Sequence, residues 1–565
     1  MDIQIKRNKR RDLISLGLMI IILILLNVVS SFLFHRFDLT TEKRYTLSPA
    51  TKKLLSNLDD VVYVKVYLDG DFPAGFKNLR NETKEMLDEF RVYSKDNVEY
   101  EFIDPSENLD KAQQNEVYKQ LAGKGLQPFN VENKTETGTT QQIIWPGAVV
   151  SYRGHEVPWL LLKTQQTMSA ESQLNNSVQA LEYEFASCIR NLTVRIRPTI
   201  GFIEGHGELD TLGVYDIAYA LNDFYTTKRV VINEQLHALD GLKALVIAKP
   251  DSAFSEKDKF IIDQFIMKGG KVLWAIDPLN TNLDTLVRKS WTLAIPQELK
   301  LNDMLFKYGV RINQNMVMDL QSGAIPINTG LAGQRPRFEP MPWIFAPLAT
   351  PVGNHPISKN VDLVKLEYAA SIDTVTAKGI TKTVLLQSSR YSKTNNPPVR
   401  IFLKMGLIQP DERQFTDAYR PFAVLLEGAF ESLYKNRIPP QIAKDSAIGF
   451  RPNGEKTKMI VIADGDILHN ELQYPSKRPI PLGYESISNR TYGNKNFILN
   501  CINYLCDDSG LIDVRARELT LRLLDRKKLK AEGLKWKLIN TLAPLFSLAL
   551  IGIIIFYLRR RKYTA

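Results

Sequence analysis

The sequence predicts an α/β protein whose folded region lies between two membrane-spanning helices. Short apolar runs typical of strands alternate with amphipathic helical patterns through most of the chain, as in a sheet that is covered by helices. Uncharged apolar segments at residues 13–34 and 538–558 are each long enough to cross a bilayer as a helix. We therefore predict one transmembrane helix at each of these two segments.

Most of the positive charge lies at the two tips of the chain. The net charge is +11; residues 1–11 hold five basic residues and one acidic residue, a net +4, and residues 559–565 hold four basic residues, another +4. Only +3 remains for the region between them, which argues against a nucleic-acid partner. Basic flanks stay on the cytoplasmic side of a membrane. We therefore predict cytoplasmic termini and a periplasmic bulk.

The first apolar segment has a competing interpretation as a secretory signal peptide. It is longer than the ~7–15 residues of a typical signal-peptide core, and no A-x-A-like cleavage site follows it, so we favour an uncleaved anchor. Lysines also crowd residues 527–537, on the other side of the second span, but the N-terminal cluster is the stronger determinant of orientation.

The first soluble region, residues 35–195, shows a regular succession of elements. Its pattern predicts helices at 50–58, 79–90, 112–121 and 169–191, and strands at 61–68, 98–102, 143–152 and 157–162, the last two antiparallel. This order of strands and helices resembles a thioredoxin-like layout. The sequence contains no C-x-x-C motif, which excludes redox chemistry of that type. Three cysteines are too few for a disulfide framework, and we interpret them as buried small apolar side chains.

The second soluble region, residues 196–510, begins with a short apolar run that ends at a glycine-rich turn. A helix pattern follows, with Asp210 or Thr211 as its expected cap. Further strands are predicted at 230–232, 244–248, 271–277, 363–369, 383–387, 422–428 and 459–464, and helices after Ser255 and at 496–505. Strands that alternate with helices predict a parallel, doubly wound sheet.

A proline-rich insertion at about residues 321–420 interrupts this region. Seven prolines between residues 321 and 356 are expected to break any long element. The insertion is interpreted either as a loop packed on the surface or as a partner-contact loop in which Trp343 and Phe345 touch the partner.

The candidate site lies where predicted strands end. Gly205, His206, Gly207 and Glu208 follow the first strand of the second region, and three acidic residues end later strands: Asp277, Asp464 and Asp466. Histidine and glutamate at a strand end could bind a metal or act as an acid–base pair. The alternative is a tight turn whose glycines adopt positive φ, with His206 hydrogen-bonded to the loop.

Other sequence motifs of catalysis do not occur. The chain has no P-loop, H-E-x-x-H or G-x-S-x-G motif. No nucleophile stands beside His206, and no third group lies at metal-ligand spacing. We therefore assign no catalytic residue, metal or cofactor, and we interpret the Gly205–Glu208 segment as a structural or ligand-binding loop.

The order of several segments resembles one known family. A first span followed by RYTLSPAT, then GFIEGHGELD, GGKVLWAID, IVIADGDIL and LLDRKKLKAEGLKWKLIN before a last span, is similar to the GldG family. These are auxiliary, or "substrate-binding", subunits of the gliding-motility-associated ABC transporter of Bacteroidetes. The resemblance implies a separate ATPase, a multi-span permease and a role in gliding and the associated secretion. It also implies an amidotransferase-like central domain without its nucleophile, and it supplies no catalytic residues.

The sequence thus predicts a non-enzymatic, membrane-anchored component of an ABC-type complex. Two alternatives stay open. One is a periplasmic hydrolase or carbohydrate-active domain that uses the strand-end cluster of His206, Glu208, Asp464 and Asp466; the other is a receptor that delivers cargo to a permease. Two spans are too few for a transport pathway, so Gly552 is expected to allow close packing against the permease within the bilayer. A homo-oligomer within the complex is also open.

The predicted organisation has seven parts. They are a basic cytoplasmic tip (1–12), a transmembrane helix (13–34), a thioredoxin-like domain (35–195), an α/β domain with its insertion (196–510), a membrane-proximal helix (511–537), a second transmembrane helix (538–558) and a second basic tip (559–565).

Overall fold

The computed structural model describes most of the chain. The described residues are 14–25, 27, 46–107, 110–135, 138–164, 169–194, 196–281, 283–330, 336–473, 475–516 and 526–563. Two compact units are present, residues 1–517 and residues 518–565, and each is described by itself. The predicted tip at 1–12 and most of residues 26–45 and 517–525 lie outside the described part.

The first region of the larger unit is built on a four-stranded sheet. Its elements are α1 (Ile14–Leu25), α2 (Pro49–Ser56), β1 (Val62–Val66), α3 (Ala74–Tyr93), β2 (Val98–Phe102), α4 (Lys111–Gly123), β3 (Phe129–Thr135), β4 (Gly138–Ile144), β5 (Gly147–Tyr152), β6 (His155–Leu160) and α5 (Ala170–Thr193). The strand order is β2-β1-β5-β6. β1 and β2 are parallel, whereas β5 is antiparallel to both β1 and β6.

One predicted strand in this region is wrong. Residues 143–152 form two strands, because β4 ends at Ile144 and β5 begins at Gly147. Pro146 lies at the break, and a proline cannot donate a ladder hydrogen bond. β4 pairs with β3 in a separate hairpin that the sequence pattern did not reveal.

The second region carries a larger mixed sheet. Its parallel part comes from β7 (Thr199–Glu204), α6 (Tyr215–Leu221), β8 (Thr226–Val231), β9 (Leu242–Ala248), α7 (Glu256–Met267), β10 (Lys271–Ala275) and β23 (Asn453–Ile462). Its antiparallel part comes from β15 (Ser322–Asn328), β16 (Phe338–Pro351), β17 (Val364–Lys365), β19 (Ile380–Gln387) and β22 (Pro421–Glu431).

Smaller elements surround this sheet. They are β11 (Leu279–Asn280), α8 (Leu283–Lys289), β12 (Trp291–Pro296), α9 (Asn302–Tyr308), β13 (Val310–Ile312), β14 (Met316–Asp319), β18 (Ile372–Thr374), β20 (Ser392–Asn395), β21 (Val399–Phe402), α10 (Pro440–Ala443), β24 (Leu472–Gln473), β25 (Arg478–Pro479), β26 (Tyr484–Glu485), β27 (Arg490–Thr491) and α11 (Asn494–Cys506). Short 3-10 helices occupy Leu403–Leu407, Glu412–Gln414, Asp466–Leu468 and Leu511–Ala516.

Only one half of the large sheet has the parallel strands that the sequence predicts. Along the sheet the order is β15-β16-β19-β22-β23-β10-β9-β7-β8. The five strands from β23 to β8 are parallel, as predicted. The other four strands along this order pair antiparallel, and so does β17, which pairs with β16 beside it, so a wholly parallel sheet is wrong. The βα alternation stops in the insertion, and strands without a crossover helix between them pair antiparallel.

The proline-rich insertion is not irregular. β16 runs for 14 residues through the proline-rich stretch and pairs with β15. Pro340 and Pro342 are two residues apart, so the positions of their missing N–H groups face the same side of the strand. In that part of β16 the described partner is β15 alone, so the other side of the strand makes no ladder hydrogen bonds. Prolines whose N–H positions face that side interrupt no pairing.

Trp343 and Phe345 belong to an apolar core of this insertion. Their side chains are 3% and 1% exposed, and their ring centroids lie 5.0 Å apart. They pack with other buried residues, among them Ile401 of the insertion and Met316 just before it. In this structure the two rings therefore stabilise the fold and present no surface to a partner.

The C-terminal unit is one long apolar helix, α12 (Arg526–Tyr563). Residues 532–561 are long and apolar enough to cross a membrane, and their side chains are unburied. Residues 526–537 of the predicted membrane-proximal helix are continuous with the second span within α12, since Pro544 lies inside α12 without ending it. Residues 511–516 form a 3-10 helix instead, and residues 517–525 lie outside the described part. At the other end, α1 is apolar but shorter than a span; the remainder of the predicted first span, apart from residue 27, lies outside the described residues.

Candidate functional site

Four parallel strands end at one edge of the large sheet, and a polar residue follows each. Gly205 to Glu208 follow β7, Lys249 follows β9, Asp277 follows β10, and Asp464 follows β23. Ligands of open α/β sheets bind at this carboxyl edge. The side chains at this edge form two separate clusters, each with its own internal pairing.

The loop after β7 needs both of its glycines. Gly205 has φ of 118° and Gly207 has φ of 75°, which are conformations that side chains disfavour. A Cβ atom on Gly207 would lie 1.6 Å from Oδ1 of Asp251, so this position also has no room for a side chain. The expected helix cap at Asp210 or Thr211 is wrong: α6 begins at Tyr215, after Val214, which makes no side-chain cap bond. Asp210 Oδ1 instead accepts a hydrogen bond from the Gly213 N–H at 2.7 Å.

His206 is held on every side by this loop and its neighbours. Its Nδ1 lies 3.3 Å from Oε1 of Glu208, and its Nε2 lies 3.1 Å from Oδ2 of Asp258 on α7. The imidazole stacks on Phe254, with ring centroids 3.8 Å apart and an interplanar angle of 12°. The His206 N–H donates to Glu208 Oε2 at 2.7 Å. His206 is only 6% exposed, so it ties the loop to α7.

The electrostatics of this first cluster favour the imidazolium. Burial alone lowers the pKa of His206, but hydrogen bonds and charges from Glu208 and then Asp258 outweigh it, and the net pKa shift is upward. Asp258 Oδ1 also accepts a hydrogen bond from the Glu234 N–H at 2.8 Å. An imidazolium at His206 between two anchored carboxylates would form a clamp that holds the loop against α7.

The second cluster gathers three carboxylates around one ammonium. Asp277, Asp464 and Asp466 each offer an oxygen, and these atoms lie within 4.8 Å of one another. Nζ of Lys249 pairs with Asp466 and lies 3.5 Å from Oδ2 of Asp277. A Cβ atom on Gly465 would approach the Lys249 Cβ to 2.6 Å, so glycine there permits the close contact.

Backbone donors fix the carboxylates of this cluster. The Gly465 N–H donates to Asp277 Oδ1 at 2.6 Å. Asp464 is fully buried; its Oδ1 accepts from the Asp466 N–H at 2.7 Å and its Oδ2 accepts from the Glu367 N–H at 2.7 Å. These bonds orient the acidic side chains before any ligand arrives.

The pKa shifts show mutual repulsion inside the cluster. Burial and the charge of Asp466 raise the pKa of Asp277 to about 6. Burial and the charges of Asp277 and Asp466 raise the pKa of Asp464 well above its usual value. Burial alone lowers the pKa of Lys249, yet Asp466 and Asp277 reverse the sign and raise it. The ammonium therefore stays charged and offsets the repulsion between the acids.

This arrangement bears directly on metal binding. Carboxylate oxygens are the donors that Mg²⁺ and Ca²⁺ prefer, and the three acidic residues could hold such an ion. Lys249 already places a positive charge among them, at the distances of an ion pair. The cluster is therefore neutralised in part by the chain itself.

The proposed strand-end cluster of His206, Glu208, Asp464 and Asp466 is thus divided by the structure. Glu208 pairs with His206 in one cluster, whereas Asp464 and Asp466 surround Lys249 in the other. Within the described part of the chain, no hydrogen bond or ion pair joins the two.

Sequence reasoning missed Lys249, Asp258 and Phe254. Lys249 directly follows a predicted strand, so the rule that selected Asp277 and Asp464 could have found it. Asp258 belongs to the helix start at Ser255, since its N–H donates to Ser255 Oγ at 3.1 Å, and that local role gives no sign of its contact with His206. Nothing in the spacing of Phe254 signals a ring stacked on His206.

Comparison with known proteins identifies the family. A family model for an auxiliary component of an "ABC-type uncharacterized transport system" matches residues 197–501, more than half of the chain. The chain belongs to this ABC transporter auxiliary family. A second model, for a domain of unknown function, matches residues 41–151. Both clusters at the sheet edge lie within the transport-family match.

Full-length similarity extends to a spirochaete protein. An "Uncharacterized protein" of Borreliella burgdorferi is 21% identical over 562 residues, which cover 97% of this chain and 96% of the relative. Two solved structures show weaker similarity. "mmIFT52 N-terminal domain" has a TM-score of 0.30 at 14% identity and covers 54% of this chain and 96% of its own.

The other solved structure is a "Putative thua-like protein" from Parabacteroides merdae. It has a TM-score of 0.23 at 7% identity and covers 55% of this chain and 90% of its own. At these TM-scores neither similarity establishes a fold.

Replacing Lys249 with methionine should destabilise the protein by about 3 kcal/mol near neutral pH, because it leaves buried carboxylates without their counter-ion. The loss should shrink as the pH falls towards about 6, because Asp277 without the ammonium takes up a proton at a higher pH than in the wild type, where its pKa is about 6. Chemical denaturation at several pH values measures this.

Lys243→Met is the matched control. Both lysine side chains are 29% exposed, but Lys243 pairs with Asp508, which is 67% exposed. The Lys243→Met substitution should lower the free energy of unfolding by no more than about 1 kcal/mol. Equal effects of the two substitutions would show that the acidic cluster does not depend on Lys249.

His206→Gln should reduce the free energy of unfolding by about 1 kcal/mol at about pH 6 and by less at about pH 9. The folded-state pKa of His206 is raised, so its stabilisation is fully present below about pH 6.5 and is lost as the pH rises through the folded pKa. His237→Gln, at a site 72% exposed, should show little effect at either pH. A loss that grows with pH would contradict the clamp.

Proposed function

We propose that this protein is a non-enzymatic, membrane-anchored accessory subunit of an ABC-type transporter that acts with a separate ATPase and a separate permease. The observation that carries the proposal is the family match over residues 197–501, which covers the large sheet and its carboxyl edge. Because the sequence has no P-loop, the energy for transport has to come from another chain.

The geometry of the sheet edge supports a non-catalytic role. A general acid or base has to reach the proton that it transfers. Both ring nitrogens of His206 face carboxylates, and Lys249 is paired with Asp466 and Asp277. The two clusters therefore suit a rigid edge that a ligand or a partner protein can contact. In that role, Gly205 to Glu208 with Asp277, Asp464 and Asp466 form a binding surface.

The C-terminal helix supports membrane anchoring. α12 carries an apolar segment of spanning length and ends in Arg559, Arg560, Arg561 and Lys562. We propose that this basic end is cytoplasmic, that residues 13–34 form the other span, and that the folded region is periplasmic. Gly552 leaves open space beside the helix, which suits close packing against a permease helix.

Finer assignments follow from the resemblance to the GldG family. They are a role in gliding motility and its associated secretion, and an inactive amidotransferase-like second domain. A thioredoxin-like first domain is supported by the sheet order β2-β1-β5-β6, in which β5 alone runs antiparallel to the other strands.

Purification from native membranes in mild detergent tests the accessory role. We expect an ABC ATPase and a multi-span permease to co-purify in fixed proportion, with no turnover of generic hydrolase substrates by this chain alone. A solitary protein that hydrolyses such a substrate, and loses this activity in His206→Ala, would contradict the proposal.

Gly552→Leu should weaken recovery of the permease, because the added side chain separates two closely packed helices. Ala543→Leu is the matched control: nine residues away on α12, it lies on the opposite face of the helix and adds similar bulk. Equal recovery with both variants would show that the Gly552 face contacts lipid.

A further inference from the structure

A cavity of about 390 Å³ lies in the first region, away from the large sheet. It is bordered by Tyr67 just after β1 and Asp104 just after β2, and these two strands are parallel. The first turns of α4 and the segment Gln142–Trp145 complete its wall. The cavity thus occupies the carboxyl edge of a parallel pair, and its volume is that of a small-molecule site.

One side of the cavity is aromatic. Tyr118 of α4 packs against Trp145, with ring centroids 5.3 Å apart and an interplanar angle of 42°. Phe72 also borders the space and is 8% exposed. Aromatic rings with a polar edge suit ligands that have both an apolar face and hydroxyl groups.

Trp145 adds an unused donor. The residue is only 3% exposed, and its Nε1 has no hydrogen-bond partner among the described residues. Buried donors are normally paired, but this nitrogen is closed to solvent, so the Trp145 ring serves as the wall behind Tyr118. Trp159 provides a comparison in the same region: its Nε1 is also unpaired, but its ring stacks on Phe185 inside the core at 4.8 Å.

The opposite side of the cavity is polar and close to electrically neutral. Asp69 is neutralised by Arg80, whose Nε lies 2.9 Å from Oδ1. Asp104 and Lys111 carry opposite charges, and neither has an ion-pair partner among the described residues. Asn115 contributes an amide that likewise has no described hydrogen bond. The lining therefore offers donors and acceptors without favouring a charged ligand.

We propose that this cavity binds a neutral sugar as a single pyranose ring. The half-buried Tyr118 ring, backed by Trp145, would cover the apolar C–H face of the sugar, while Asp104, Lys111 and Asn115 would bond its hydroxyl groups. This inference goes beyond the accessory role and does not depend on it, because it concerns another region and needs no transporter partner.

The test uses full-length protein in a detergent without a sugar headgroup. Methyl β-glucopyranoside and N-acetylglucosamine are the probes, and saturation-transfer NMR with titration measures binding. Glucose 6-phosphate and phenylalanine serve as charged and amino-acid comparisons. We expect the neutral sugars to bind in the millimolar range, with the strongest signals on ring C–H protons, and to bind more tightly than either comparison.

Two variants localise the binding. Asn115→Ala and Tyr118→Leu should each weaken sugar binding by about ten-fold. Asn115 is exposed, so its replacement should not affect folding. Gln120→Ala, also exposed on α4 but outside the cavity lining, should bind as the wild type does. Sugar binding unchanged in both cavity variants, no sugar binding by the wild type, or preferential binding of either comparison ligand would overturn the proposal.

Discussion

The ion pairing of Lys249 with Asp466 and Asp277 is the interaction on which the carboxyl edge of the large sheet depends. Parallel strands bring their carboxyl ends together, so acidic residues that follow different strands are forced into one small space. Their charges repel, and burial strengthens that repulsion. An ammonium from the neighbouring strand offsets it without a bound ion, and Gly465 makes room for that side chain.

The same logic governs the loop after β7. His206 is paired with Glu208 and Asp258 and covered by Phe254, so its charge is matched within the protein. In both clusters the polar side chains pair with one another. Catalytic sites, by contrast, keep at least one group or coordination position free for a substrate. The polar side chains at this edge are therefore held by contacts within the chain itself.

Sequence patterns predicted the elements whose causes are local. The parallel strands, the cap at Ser255 and the positive φ at Gly205 and Gly207 all follow from residue types at short spacing. The sequence did not predict the antiparallel half of the sheet, because prolines such as Pro340 normally indicate the end of a strand. They are compatible with a strand only where one of its sides has no partner strand, and the sequence does not show which side that is. The seven site residues were placed at strand ends correctly. Their division into two clusters depends on Lys249 and Asp258, whose partners lie far away in sequence.

Binding of a divalent cation tests the self-neutralised edge most directly, and Mn²⁺ followed by electron paramagnetic resonance is a suitable probe. The account predicts that the wild type binds no Mn²⁺ at this cluster, whereas Lys249→Met gains a site that Asp466→Asn then removes, because three carboxylates without their ammonium attract a hard cation. Tight Mn²⁺ binding by the wild type, abolished by Asp466→Asn, would contradict it and would mark the edge as a metal centre.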